Sequence, residues 1–177
     1  MKALVLENQK LSVKEWEISP LSDRQVKIKI DKAGICGTDL KLYHGKYFNY
    51  KNRKPIVLGH EFIGRGVEIG KNVTAFTIND RVSGHATTKT CGKCKYCLRG
   101  EFNLCAYKER IGFNYDGVFA EYAILNEDQL YVIPENISDK AAVLVEPVSV
   151  AVRAVNKVKI NPYDQVLITG PGTIGLL

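Results

Sequence analysis

Cys36, His60, Glu61 and Glu146, with the run Cys91-x2-Cys94-x2-Cys97-x7-Cys105, are the residue types that bind metal ions. Four of the five cysteines fall within fifteen residues. Four thiolates at about 2.3 Å satisfy a tetrahedral Zn²⁺ and leave no open position, which is the structural kind of site. An iron–sulfur cluster is the rival reading. The bacterial ferredoxin run has a three-residue last gap followed by proline, whereas here the gap is seven residues and Ala106 follows. Zinc is therefore favoured. Lys93, Lys95, Arg99 and Lys108 lie nearby in sequence to offset the negative charge of a four-thiolate centre.

The second constellation centres on Gly59-His60-Glu61, inside the apolar run Val57–Gly64. A charged glutamate there is costly unless it is compensated. Cys36, flanked by Gly34 and Gly37, supplies a third ligand type, although a lone cysteine is also an ordinary small buried residue. Cysteine, histidine and a carboxylate make a three-ligand zinc site with one position free for water or substrate, the catalytic pattern. Asp39 is suited to accept the far N–H of His60, or to cap a helical turn over 40–44. Glu146, between Val145 and Pro147, is either a further metal carboxylate or a helix-capping one.

The elements that must present these groups are mostly strands. Val26, Ile28 and Ile30 alternate with Lys27, Lys29 and Asp31 in a period of two. Short strands are expected through residues 1–32, from Pro55 across Gly59-His60-Glu61, near 66–70 and 76–83, and over 117–133. Asn79-Asp80 marks a turn. Residues 84–108 have little periodicity and form an excursion built on the cysteines. From Ser138, a plausible N-cap, helix takes over. A short helix should end near Leu144 and a second begin at Pro147, with Val148, Ala151, Val152, Val155 and Val158 on one apolar face. After a turn at Asn161-Pro162, Gln165–Thr169 reads as a buried strand.

That strand leads into Gly170-Pro171-Gly172-Thr173-Ile174-Gly175. In strand–turn–helix context, G-x-G-x-x-G is the dinucleotide fingerprint, whose glycines allow a tight turn and close approach to a pyrophosphate. Gly170, Gly172, Thr173, Ile174 and Gly175 are the candidate cofactor residues.

Composition is that of an ordinary globular protein, 45% hydrophobic and 25% charged over 177 residues. No apolar run approaches a membrane span, and Met1–Glu7 is too short and too soon charged for a signal peptide, so the expected location is the cytoplasm. The net charge of +6 is spread thinly, apart from Lys51, Arg53 and Lys54, and no aromatic–basic motif accompanies it. Neither nucleic acid nor membrane is an expected partner.

Cys36-Gly37-Thr38-Asp39, Gly59-His60-Glu61, the four-cysteine lobe, Glu146-Pro147 and the terminal glycine motif occur in the order seen in zinc-dependent medium-chain alcohol dehydrogenases. The chain resembles most closely the polyol (sorbitol-type) and threonine dehydrogenase branch. The resemblance implies a mostly β, GroES-like catalytic domain over residues 1–150 with a structural-zinc lobe. Residues 151–177 would begin a truncated Rossmann domain. It implies that Cys36, His60 and Glu61 hold a catalytic zinc, with Glu146 near it. Thr38 would relay the alcohol proton, and Cys91, Cys94, Cys97 and Cys105 would hold the structural zinc. The implied full-length activity is NAD- or NADP-linked oxidation of a polyol or other secondary alcohol by a homo-oligomer, with two zinc ions per chain. The 177 residues alone are expected to be inactive. Lys41 stands where many members have a histidine that ends the proton relay, and His44 is the nearest substitute. Tyr43, Phe48, Tyr50, His85 and Phe113 are candidate pocket residues by character alone. The competing readings are a zinc-stabilised binding domain without catalysis and a zinc-free reductase on the same fold.

Overall fold

The alternation read over 26–30 forms the middle of β3 (Gln25–Gly34), where Val26 and Ile28 are buried and Lys29 is exposed. The structure, a computed structural model, describes residues 1–47 and 54–177. Lys51, Arg53, Phe48 and Tyr50 lie outside the described residues. In chain order β1 (Lys2–Glu7) and β2 (Lys10–Glu15) precede β3. Helix α1 (Gly37–Tyr43), β4 (Ile56–Val57), β5 (Glu61–Ile69) and β6 (Arg81–Gly84) follow. The ribbon of β7 (Thr87–Lys89) and β8 (Glu109–Arg110) brackets the cysteine excursion. Then come β9 (Tyr122–Asn126), β10 (Leu130–Val132), α2 (Asp139–Ala142), α3 (Val145–Lys157) and α4 (Thr173–Leu176). The fold is mostly β, as expected.

The main sheet runs β10-β6-β5-β3-β9 and a second runs β2-β1-β4, with antiparallel pairing throughout. The largest core cluster includes Val26, Ile28, Phe62, Val82, Val118 and Leu125. A second cluster, of Leu6, Leu42, Ile56, Leu58 and Phe113, packs α1 against the end of β4. Burying such side chains contributes about 1.5–3 kcal/mol each, so α1 is fixed where its N-terminus faces the break between β4 and β5.

Glu127 ties the sheet to a neighbouring turn. Its buried carboxylate accepts the N–H groups of Ala75 (2.7 Å) and Thr74 (2.6 Å), and Arg24 donates at 3.3 Å. The Ala75 and Thr74 N–H groups, in that order, hold its pKa below the ordinary 4.5 despite the opposing effect of burial. A depressed carboxylate contributes stability that is complete above the unfolded pKa and is lost as pH falls through the folded one. Glu127→Gln is therefore expected to be less stable than wild type at pH 7. The difference should shrink as pH drops below 4.5. Urea unfolding of both proteins at several pH values checks this; a gap that does not change with pH would count against it.

Five expectations change. Gly59 and His60 do not lie within a strand: β4 stops at Val57 and β5 opens at Glu61. Gly59 takes φ +89, and its N–H turns to the Asp39 carboxylate at 3.3 Å instead of a ladder. Residues 76–80 form no strand. They turn, with Asn79 at φ +73, and β6 begins only at Arg81. Helix α3 starts two residues before Pro147, whose missing N–H costs nothing in a first turn. Of its expected apolar face, Ala151 is buried and Val148 half-buried, while Val152, Val155 and Val158 are exposed.

Gln165–Thr169 is likewise not a strand, and Leu167 is 87% exposed. A strand needs a neighbour to satisfy its backbone groups, and this segment pairs with none among the described residues. Further upstream, the Ser138 hydroxyl caps α2 through the Ala141 N–H at 3.3 Å, as read.

Candidate functional site

Two groups of metal-ligating side chains converge. In the excursion, Sγ of Cys97 lies 3.5 Å from Cys94 and 3.9 Å from Cys91, and Cys105 lies 3.7 Å from Cys91. Ligands at 2.3 Å in a tetrahedron stand about 3.8 Å apart, so these sulfurs already have the spacing of a four-thiolate zinc centre. The ionisation pattern agrees. N–H donors, led by that of Lys93, pull the Cys91 pKa down to about 6, whereas burial, reinforced by its thiol neighbours, pushes Cys97 up to about 11. Cys91 is thus drawn toward the thiolate, whereas Cys97 would need a cation to ionise. Gly92 and Gly100, at φ +70 and +73, allow the tight turns between the cysteines. Of the basic residues expected to offset the charge, Lys95 lies over the Tyr96 ring and Lys108 donates to the Asn103 carbonyl.

The second group draws on three separate elements. Cys36 is the N-cap of α1, His60 sits in the break between β4 and β5, and Glu61 opens β5. One ligand atom from each lies within 4.8 Å of the other two, so the three can share one ion. Register explains the room for Glu61. It pairs across the sheet with Gly34, where a Cβ would stand 2.3 Å from Glu61 Oε2. Any other residue at 34 would displace the carboxylate.

Of the two roles open from sequence, Asp39 takes the capping one and makes no hydrogen bond to His60. It accepts the Cys36 N–H at 2.9 Å, closing the cap of α1, and the Gly59 N–H at 3.3 Å. Its Oδ1 is 3.8 Å from His60 Nδ1, too long for a hydrogen bond. Nδ1 is thus a buried nitrogen with no partner, oriented toward a carboxylate. The electrostatics fit a site built for a cation. The His60 hydrogen bond lowers the Cys36 pKa. Burial would lower that of His60, but the Cys36 hydrogen bond and the Asp39 charge outweigh it and raise it. Burial raises Asp39, Glu61 and Glu146 toward the neutral acid, against the opposing pull of His60. A divalent ion would reverse that cost.

Beside this trio opens a cleft of about 770 Å³. His60, Thr38 and Glu146, the last on the first turn of α3, line it together. Thr38 Oγ1 is 3.6 Å from Cys36 Sγ. Glu146 lies near enough to His60 and Glu61 to interact with their charges, yet outside the close trio. His85 and Phe113 line the cleft as expected, and Phe113 packs a tilted ring 5.8 Å from His60. Tyr43 does not line it; its ring is tilted against His44 at 5.0 Å.

Arg110 is the cleft residue that sequence reading missed. It lies over Phe113 at 4.1 Å and donates to the Tyr47 hydroxyl at 2.9 Å. No spacing or motif marks it; only the β7–β8 ribbon brings it there.

At the chain end, Gly170 adopts φ +81 and Gly172 N–H returns to the Gly170 carbonyl at 2.8 Å. A Cβ at Gly175 would meet that carbonyl at 2.3 Å. Gly170, Gly172 and Gly175 thus form the tight turn and close packing of the fingerprint, with Thr173 and Ile174 opening α4. No described helix is long and apolar enough to cross a membrane.

Residues 22–135 match the family model of the alcohol dehydrogenase GroES-like domain. The chain is 43% identical over 153 residues to a sorbitol dehydrogenase of Halalkalibacterium halodurans, covering 86% of this chain and 44% of that protein. It is 40% identical over 154 residues to an L-threonine 3-dehydrogenase of Coxiella burnetii, again covering 86% and 44%. A protein assigned as a zinc-binding dehydrogenase from Sinorhizobium meliloti 1021, bound to NADP, superposes with a TM-score of 0.91. Its sequence identity is 34%, over 99% of this chain and 50% of that one. The chain thus spans about half the length of the relatives it matches. With the GroES-like sheet, the four-thiolate lobe and the cysteine–histidine–glutamate trio in one chain, the protein belongs to the zinc-dependent medium-chain alcohol dehydrogenase family.

Proposed function

We propose that these residues are the N-terminal part of an NAD(P)-linked dehydrogenase of a polyol or other secondary alcohol. Residues 1–150 form its catalytic domain and residues 151–177 begin its nucleotide-binding domain. The observation that carries this reading is the convergence of Cys36, His60 and Glu61 within 4.8 Å beside a 770 Å³ cleft. In this reading these three hold the catalytic zinc, with Glu146 as the carboxylate facing it. Zinc held there would supply Lewis acidity toward the substrate oxygen, and a nicotinamide cofactor would supply the hydride acceptor. The Asp39 carboxylate faces the Nδ1 edge of His60 at 3.8 Å, which would leave Nε2 for the metal. Thr38 would take the hydroxyl proton of the substrate while giving up its own toward solvent. Lys41, one helical turn on from Thr38 and exposed, replaces the relay histidine, so the proton leaves through the open cleft. In this reading the full-length form would act as a homo-oligomer, and Gly170–Gly175 would hold the pyrophosphate of the dinucleotide.

The test is a polyol and secondary-alcohol panel with NAD and NADP, run beside metal analysis of the full-length protein. Two zincs per chain and turnover of at least one alcohol are expected, with no turnover by the 177-residue chain. Two bound zincs without oxidation of any alcohol would favour a binding domain; the absence of the second zinc would favour a zinc-free reductase. Gly34→Ala adds a finer check. The new Cβ displaces the Glu61 carboxylate, while the ordinary backbone at 34 spares the fold. Affinity for the second zinc should fall about 10–100-fold, the scale seen when support of a ligand is disturbed, with little change in melting temperature. Equal zinc affinity would remove Glu61 from the ligand set.

A further inference from the structure

The cleft beside the trio has a charge that an uncharged alcohol would leave unused. Lys89, Lys108, Arg110 and Arg153 line it, against the carboxylates Asp128 and Glu146. Cations outnumber carboxylates by two. They come from three stretches, β7, the run Lys108–Arg110 and α3, so the excess belongs to the cavity and not to one basic stretch. Arg110 is the most constrained of them. Its guanidinium is held over the Phe113 ring and tied to Tyr47, while Nε is buried without a partner. An arginine locked in this way, with donors to spare, is preorganised for an oxyanion. Thr87, Thr88 and Thr90 add three hydroxyl-bearing residues to the same wall. His60 and Thr38 line the same cleft and mark where an alcohol would react, and Phe113 packs between His60 and Arg110. A substrate held there would present a hydroxyl to His60 and Thr38 and a dianion to the cations.

Resting on the dehydrogenase reading above, we propose that the substrate is a phosphorylated polyol, whose phosphate monoester is held by Arg110 with Lys89, Lys108 and Arg153. A phosphate monoester carries about −1.5 to −2 at pH 7, which matches the excess; a carboxylate would leave half of it unbalanced. Arg110 is then the specificity residue, with Tyr47 and Phe113 positioning its fork. The other source of a phosphate monoester at this cleft is the 2′-phosphate of NADP.

The experiment compares sorbitol with sorbitol 6-phosphate on the full-length zinc-loaded protein, by steady-state kinetics and by calorimetric binding. Binding is repeated after saturation with NADH and with NADPH. The ester should show a kcat/KM at least about tenfold above the free polyol. It should bind with either reduced cofactor already in place. Lys89→Gln, at an exposed position, should weaken ester binding severalfold. Arg110→Met should weaken it about 10–100-fold, the range for losing a charge-assisted pair. Equal kcat/KM for the two substrates overturns the proposal. So does ester binding that NADPH abolishes and NADH spares, since the cations then serve the cofactor. So does unchanged binding in Lys89→Gln and Arg110→Met. A protein that binds the ester but oxidises no alcohol refutes the dehydrogenase reading and leaves the phosphate site standing.

Discussion

Cys36→Ser in the full-length protein is expected to lower zinc from two to one per chain and to cut kcat/KM by about 10³-fold or more. The magnitude follows from the several kcal/mol that Lewis-acid stabilisation contributes to such a reaction, at 1.36 kcal/mol per factor of ten. Serine keeps the backbone N–H that Asp39 accepts, so α1 retains its cap. What it loses is the readily ionised sulfur, held partly toward the thiolate by its hydrogen bond with His60. A serine hydroxyl does not ionise in that setting and is a poorer partner for zinc. The melting temperature should therefore barely move. Metal analysis, kinetics and thermal unfolding on one preparation decide the matter. Retention of both zincs with near-normal turnover would exclude Cys36 from the site.

Cys105→Ser should act in the opposite way, on stability more than on chemistry. Cys105 is buried and closes the four-sulfur set from the far end of the lobe. The lobe has little else to hold it. Its regular structure between Cys91 and Cys105 is two 3-10 turns, Cys97–Arg99 and Phe102–Leu104. Leu98 is 76% exposed and Tyr107, just beyond, 72%. With so little apolar burial, the folding energy of the lobe comes from the metal. Loss of a structural metal belongs among the changes that exceed about 4 kcal/mol. For a chain of this size that corresponds to a melting temperature lower by about 8–16 °C. Limited proteolysis should cut between residues 91 and 108 in the variant and spare wild type. A variant that melts with wild type and resists the protease would show that the lobe folds without its zinc.

Much of the candidate site was legible because metal-ligand chemistry is written in residue type and short spacing. Cys91, Cys94, Cys97 and Cys105 are close in sequence, and a short loop leaves few ways to arrange them. The same locality made the Val26–Ile30 alternation and the Ser138 cap readable. Glu61 and Cys36 were legible as ligand types, although they lie twenty-five positions apart. Arg110 was not legible, because a single arginine carries no signal until a sheet register says which way it faces. The apolar run 165–169 has strand character in sequence, but composition cannot supply the neighbouring strand that would make it one.

The family, the two candidate ligand groups and the glycine turn at 170–175 could be read from residue types and near-neighbour spacing alone. Tertiary structure alone decided three things. Gly34 stands opposite Glu61 because β3 and β5 pair in one register, and a slip of one residue would send that carboxylate to the other face. The strand breaks at Gly59 because the Asp39 carboxylate, twenty residues earlier, takes its N–H. The cleft is cationic because the β7–β8 ribbon, with Lys89, Arg110 and the adjoining Lys108, meets Arg153 of α3 there. Each depends on contacts far apart along the chain, fixed by packing and register, which no local pattern encodes.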